Sequence, residues 1–155
     1  MRVRELKRAL WLPRPLAEIF SFFADAANLE LLTPPWLNFH ILTRGRLELR
    51  AGTLIDYQLR VHGLPMRWQS EITAWEPQRR FVDEQRRGPY RLWQHEHTFE
   101  PDAGGTLCGD TVRYAVLFDF PVHGLLVRPD LERIFDFRAQ KMRELFSATG
   151  SEALT

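Results

Sequence analysis

From residue 39 to residue 118 the apolar side chains mostly recur at every second position. From 129 to 146 they recur at every third and fourth. A period of two belongs to a strand with one buried face, and a period near 3.6 belongs to a helix with one buried stripe. The clearest strand is WQHEHTF, residues 93–99. Trp93, His95, His97 and Phe99 fall on one face, and Gln94, Glu96 and Thr98 on the other. The helical stripe is Leu131, Ile134, Phe135, Met142, Leu145 and Phe146, with Pro129 suited to the first turn and Asp130 and Glu132 to the positive end.

Other segments complete the order. Residues 2–11 read as a first strand. Leu16, Ile19, Phe20 and Phe23 recur at helical spacing, and a second short helix from Asn28 must end at Pro34-Pro35. Six strands follow: 39–49 with Gly45 as a bulge, then the stretches GTLIDYQLRV, MRWQSEITAWEP, RRFVDEQRR, RLWQHEHTFE and TLCGDTVRYAVLF. The segments HGLP, GPY and PDAGG supply turns between strands. The chain therefore predicts an α+β fold. A curved antiparallel sheet of about seven strands wraps a long C-terminal helix, and two short helices follow strand one. A curved sheet meets a straight helix over only part of its length, so a cavity between them is expected. With 155 residues the chain predicts one domain over 1–155, with a loose tail over about 148–155.

Composition narrows the function classes. A formal net charge of +1 offers no general argument for nucleic acid. No apolar run approaches the roughly 20 residues that span a bilayer, so stable membrane insertion is not expected. Charges interrupt MRVRELKRAL, which does not read as a signal peptide, and Cys108 is the single cysteine. Both features lean towards a cytoplasmic location. Eleven Phe, five Trp and three Tyr suit an apolar cavity wall or a Phe-rich core.

The residue pattern resembles the START-like superfamily, also called SRPBCC, which includes START domains, polyketide cyclases and birch-pollen-allergen-like proteins. It is most similar to an uncharacterised bacterial ligand-binding branch. The matching residues are IFSFFADAANLELLTPPW after strand one; Gly63, Pro65 and Trp68; Phe81, Asp83, Gln85 and Gly88-Pro89-Tyr90; Trp93, His95, His97 and Phe99; Asp110, Val112 and Tyr114; and Leu131 to Arg138. The resemblance implies the helix-grip fold. It leaves the chemistry open, because this superfamily contains carriers, sensors and enzymes.

Two histidines on an apolar face admit several readings. A metal site needs further ligands, for which Asp83, Cys108 and Asp110 are placed on neighbouring strands, but Trp93 and Phe99 crowd the pair. An enzyme of cyclase or hydrolase type would use His95, His97 and Asp110. Cys108 reads as a small buried filler. The favoured reading is a pocket for a hydrophobic small molecule, lipid-, isoprenoid- or polyketide-like, with no cofactor and no metal. Its polar end would be Asp83, Gln85, His95, His97 and Asp110. Its walls would be Tyr57, Trp68, Ile72, Phe81, Trp93, Phe99, Val112, Tyr114, Phe135 and Met142. An interaction module without a small ligand is the other alternative. The arginines at 79–80, 86–87 and 91 read as a solvated rim, and residues 118–129 as a lid or an ordinary connection. A hairpin loop over 102–105 would place Asp110 opposite His97 and predicts a hydrogen bond between them; a longer loop would pass it to His95.

Overall fold

The computed structural model describes residues 1–45, 47–118, 121 and 123–147. The expected tail at 148–155 lies outside them, as do three positions of the 118–129 segment. Strand β1 (Arg4–Leu12) is followed by helix α1 (Leu16–Phe23), a short 3₁₀ turn, helix α2 (Leu29–Leu32) and a second 3₁₀ turn. Then come β2 (His40–Ile41), β3 (Leu54–Val61), β4 (Leu64–Glu76), β5 (Arg80–Arg87), β6 (Leu92–Asp102) and β7 (Gly105–Ala115). A wide helical turn over His123–Val127 leads into helix α3 (Arg128–Leu145).

The seven strands form one antiparallel sheet in the order β1-β7-β6-β5-β4-β3-β2. Each strand from β2 to β6 thus pairs with its successor, and β1 pairs with the last strand, β7. The tight hairpins follow from local chemistry. His62-Gly63 joins β3 to β4 and Ala103-Gly104 joins β6 to β7, all four with positive φ. Two left-handed residues make the turn whose twist matches that of paired strands. The second hairpin pairs Pro101 with Thr106 and His97 with Asp110, the register expected from the sequence.

Two expectations are corrected. The strand expected over 39–49 exists only as His40–Ile41. Leu42 and Thr43 both turn their amides to the Asp56 carbonyl, Gly45 takes φ 89°, and Leu49 leaves the sheet to bond the Ala24 carbonyl behind α1. Apolar alternation there reflects packing on the cluster that includes α1 rather than a ladder. On α3, Leu145 is exposed, and Arg138 takes a place in the buried stripe beside Leu131, Phe135 and Met142.

The inner face of the sheet carries two apolar clusters. One joins Ile19, Phe20 and Phe23 of α1 to Phe81, Phe99, Cys108, Met142 and Phe146. The other joins Val112, Tyr114, Leu131 and Phe135 to the half-buried Leu6, Tyr90, Trp93 and Val127. His95, His97 and Arg138 are buried without belonging to either cluster.

A buried His–Asp–Arg network as candidate functional site

Alternation on β6 turns His95 and His97 inward, with neighbouring strands supplying the acids: Asp83 from β5 and Asp110 from β7. In the ladders Asp83 stands opposite His95, and Asp110 opposite His97. The shortest hydrogen bonds cross this register. Asp110 Oδ1 lies 2.7 Å from His95 Nε2, and Asp83 Oδ2 lies 2.8 Å from His97 Nε2. Each acid reaches the diagonal histidine because side chains lean along their strands, bringing i and j±2 partners within reach. The expected Asp110–His97 contact is present only as a longer approach, 3.3 Å from Nδ1. The closer partner of Asp110 is His95.

Arg138 of α3 closes the network from the opposite side. Its Nη2 is 3.2 Å from His97 Nδ1 and 3.4 Å from Asp110 Oδ1, and its guanidinium lies over the Phe23 ring. Its Nε is buried without a hydrogen-bond partner among the described residues. Sequence reasoning assigned Arg138 no role. The available signal was a cation four residues before Met142 and three after Phe135, on the stripe that should be apolar.

Protonation follows from charge and hydrogen-bond chemistry. Two carboxylates and one guanidinium leave one negative charge, which a proton on one imidazole neutralises. Burial is the largest influence on His97 and pulls it down, but hydrogen bonds to Asp110 and Asp83 and the Asp83 charge hold it above its ordinary value. Burial also acts on His95, and with the neighbouring His97 charge it keeps His95 below its ordinary value despite Asp110. Burial opposes ionisation of both acids. Even so, Arg138 and the bonds from both histidines hold Asp110 well below the usual carboxylate range, and the His97 bond foremost lowers Asp83. The two histidines are thus driven apart: of the pair, His97 takes the proton more readily and His95 less, beside two carboxylates and Arg138.

Ionised Asp110 fixes the His95 tautomer. An ionised carboxylate only accepts, so the His95 Nε2–H donates to Asp110 and Nδ1 keeps its lone pair. The same rule gives His97 two arrangements. As an imidazolium it donates through Nε2 to Asp83 and turns Nδ1–H towards Asp110; as a neutral ring it accepts at Nδ1 from Arg138.

Asp83, His95 and His97 also bring three potential metal ligands within 4.8 Å of one another. The rings do not converge on one point. Their centroids are 3.7 Å apart and their planes differ by only 31°. Ring lone pairs lie in the ring planes, so near-parallel stacked imidazoles direct them side by side. His97 also stacks on Phe81 at 4.1 Å and 13°, which holds it in that orientation.

The other candidates sit elsewhere. Gln85 spends its amide on Tyr90, donating to the carbonyl at 2.7 Å and accepting from the amide at 3.1 Å. It thereby clamps the Gly88-Pro89 turn, where a Cβ on residue 88 would lie 2.4 Å from Gln85 Oε1. Cys108 is buried, and burial together with the Asp110 charge pushes its thiol up to about 12, so no thiolate is available at neutral pH. Ile72, Phe81, Phe99 and Met142 pack with α1, whereas Val112, Tyr114 and Phe135 form the second cluster. Tyr57, Trp68, Tyr90 and Trp93 make a continuous aromatic array, with Tyr57–Trp68 stacked at 5.8 Å and Trp68–Trp93 edge-on at 5.3 Å. It reaches the network where Trp93 meets His95, at 6.3 Å. A cleft of about 490 Å³ opens beside Tyr57 and Trp68, bordered by Leu42, Arg67, Gln69 and Arg87. It lies at the β3–β4 side of the sheet. The expected cavity was instead to run along α3, where Phe135 and Arg138 approach the histidines.

The model of one family, described as polyketide cyclase / dehydrase and lipid transport, matches residues 12–143. No curated protein sequence matches the chain. Among solved structures, protein Ms6760 of Mycobacterium smegmatis is similar with a TM-score of 0.70 at 19% identity, covering 96% of this chain and 98% of that one. The major latex-like protein 151 of Panax ginseng gives 0.70 at 10% identity, covering 94% and 98%. TTHA0849 of Thermus thermophilus gives 0.62 at 19% identity, covering 98% and 100%. These similarities establish the helix-grip fold.

Proposed function

Because this chain belongs to the polyketide cyclase / dehydrase and lipid transport family, we propose that it binds a hydrophobic small molecule carrying one polar end, held between sheet and α3. The observation that carries this reading is the placement of the network. A His–Asp–Arg set with one buried donor still open, Arg138 Nε, lies inside an apolar interior, at the end of a partly exposed aromatic array. Core polar networks that serve stability alone have no need of such an approach, whereas mostly apolar pockets use a few polar groups to fix orientation. The apolar body would lie along Trp68 and Trp93, and the polar end would meet Asp83, the most open member at 20% side-chain exposure against 4% for His97.

One observation favours a second reading, acid–base catalysis: Asp110 fixes His95 with an unprotonated Nδ1, the form a general base requires. Native mass spectrometry of protein purified from its own host tests the binding reading. A co-purifying apolar molecule, lost from Trp93→Ala, is expected; recovery of ligand-free protein that also fails to bind any apolar probe overturns it. Turnover of an identified ligand that vanishes in His95→Ala would move the assignment from carrier to enzyme.

A further inference from the structure

One end of the sheet is both apolar and basic on its outside. Strands β3, β5 and β7 run the same way in the antiparallel sheet, so the connections after them gather at that end. Contacts tie them together. The Arg91 amide, after β5, donates to the Ala115 carbonyl at the end of β7, at 2.9 Å. The chain leaving β7 returns at His123, whose Nε2 is 2.9 Å from the Tyr114 hydroxyl. Early in α3, Asp130 Oδ2 lies 2.6 Å from Nε2 of His62, in the β3–β4 hairpin.

Apart from Met1, the four most exposed large apolar side chains among the described residues all lie on these connections. They are Leu125 at 71%, Phe118 at 68%, Leu64 at 63% and Leu117 at 55%. Leu126, also exposed, adjoins Leu125. Such a gathering marks an interaction surface. Behind it, Tyr90 and Val127 pack on the second apolar cluster, so this surface covers the Trp93 side of the interior.

Charge identifies the partner. By sequence, the three connections, residues 60–65, 86–91 and 116–128, hold five arginines and one acid, Asp119. They carry a net +4 in a chain whose total is +1, so the rest of the chain is net negative. Arg60, Arg87 and Arg91 are exposed and make no ion pair among the described residues. The acids at the start of α3 are already held, Asp130 by His62 and Glu132 by Arg128. Leucines beside unpaired arginines match an anionic bilayer surface, with charged headgroups outside and acyl chains beneath. A fluid bilayer demands no complementary shape, so side chains protruding from separate connections can be buried in it together. A second copy of the chain fits less well, since a two-fold contact sets the same arginines near one another.

We propose that this end of the protein docks peripherally on an anionic lipid membrane. Leu64, Leu117, Phe118, Leu125 and Leu126 enter the headgroup region, and Arg60, Arg87 and Arg91 meet the lipid anions. On the binding reading above, the apolar molecule is exchanged with the bilayer across this surface. No described helix is long and apolar enough to cross a membrane, and docking requires none.

The test is co-sedimentation of the full chain with vesicles of phosphatidylcholine, alone or with about 30% phosphatidylserine. Binding is expected only with phosphatidylserine, and added salt should weaken it. Leu125→Ser and Arg91→Glu are each expected to lower vesicle affinity about tenfold. Leu54→Ser changes an exposed leucine at the opposite end of β3 and should leave affinity unchanged. All three side chains are exposed, and thermal melts check that the variants fold. No sedimentation with either vesicle, equal sedimentation with both, or equal losses from Leu54→Ser and Leu125→Ser overturns the proposal. If vesicles fail while sedimentation velocity shows a dimer that Leu125→Ser dissociates, the surface joins two copies instead. If vesicles fail and the chain is monomeric, the surface belongs to a protein partner. Decanol titration without vesicles, read by tryptophan fluorescence, reports on the interior separately. Decanol bound without docking overturns this surface alone; docking without decanol bound overturns the binding reading alone.

Discussion

The two apolar clusters flanking the network are built differently. Around α1 the rings are mainly phenylalanines in mutual edge and tilted contact, joined by Trp75: Phe20 with Phe99 at 5.3 Å, Phe23 with Phe99 at 5.2 Å, Phe22 with Phe146 at 5.1 Å and Phe20 with Trp75 at 5.1 Å. Around Trp93, beside Phe135, the rings are mainly tyrosines and tryptophans, several only half buried, and the tips of Tyr57, Trp68 and Tyr114 bond to Ser70 and His123. Phenylalanine contributes only apolar area, so the first region gains by excluding everything else. Tyrosine and tryptophan combine an apolar body with a polar tip, as suits a surface that contacts both protein and ligand. The polar network lies between a region that holds the fold together and the one that the proposed function assigns to the ligand.

The largest effect that tests this contrast is truncation on the packed side. Phe99→Ala removes a buried ring from contact with Phe20, Phe23 and Phe81 and should cost about 3–5 kcal/mol in urea unfolding. Trp93→Ala should cost clearly less, since its ring is only half buried, yet should weaken binding of apolar probes far more. Equal losses of stability from the two changes would erase the distinction between the regions.

Next is the network. Asp110→Ala strips His95 of its acceptor and leaves Arg138 with one counter-charge fewer, for a loss of about 3 kcal/mol. Asp102→Ala, on the exposed hairpin, should stay within about 0.5 kcal/mol. If both variants melt together, the separating layer has no structural weight.

The histidines make opposite pH predictions. His97 is held above its ordinary value, so its stabilisation is complete below about pH 6.5 and is lost as pH rises through its folded value. His95 is held below its ordinary value. Its folded form resists a proton that the unfolded chain accepts, so stability falls as pH drops below about 6.5. The depressed values of Asp83 and Asp110 extend that fall below about pH 4. Thermal melts should therefore peak near about pH 6.5. His97→Gln should flatten the alkaline arm and also weaken the acid arm, because His97 helps hold both His95 and Asp83 down; an unchanged alkaline arm would contradict a raised His97.

The smallest effect lies at the rim of the aromatic side. Gly88→Ala drives a Cβ into the Gln85 side chain and should cost about 1 kcal/mol. The double variant with Gln85→Ala should lose less than the sum, because the clash then has no partner. Strict additivity would show that Gln85 does not clamp the turn.

Alternation along β3 to β7, the turn segments between them and most of the helical stripe were legible in the sequence, because each is set by contacts a few residues apart. So was the pairing of His97 opposite Asp110: the expected loop over 102–105 gives the same register as the tighter Ala103-Gly104 turn that forms. The second strand was misjudged because alternation records only that one face is buried; Leu49 belongs to, and Leu47 packs against, the apolar cluster that includes α1, and no neighbouring strand is required to explain them. Three features of the site were decided only in three dimensions. Strand twist and side-chain lean moved each acid to the diagonal histidine. The fold of the Gly88-Pro89 turn brought the Tyr90 backbone to the Gln85 amide. The angle at which α3 crosses the sheet brought Arg138, remote in sequence, against His97, with the guanidinium that balances two buried carboxylates. Local periodicity specifies which face a residue occupies. Only the packing of one element on another specifies which charge it meets there.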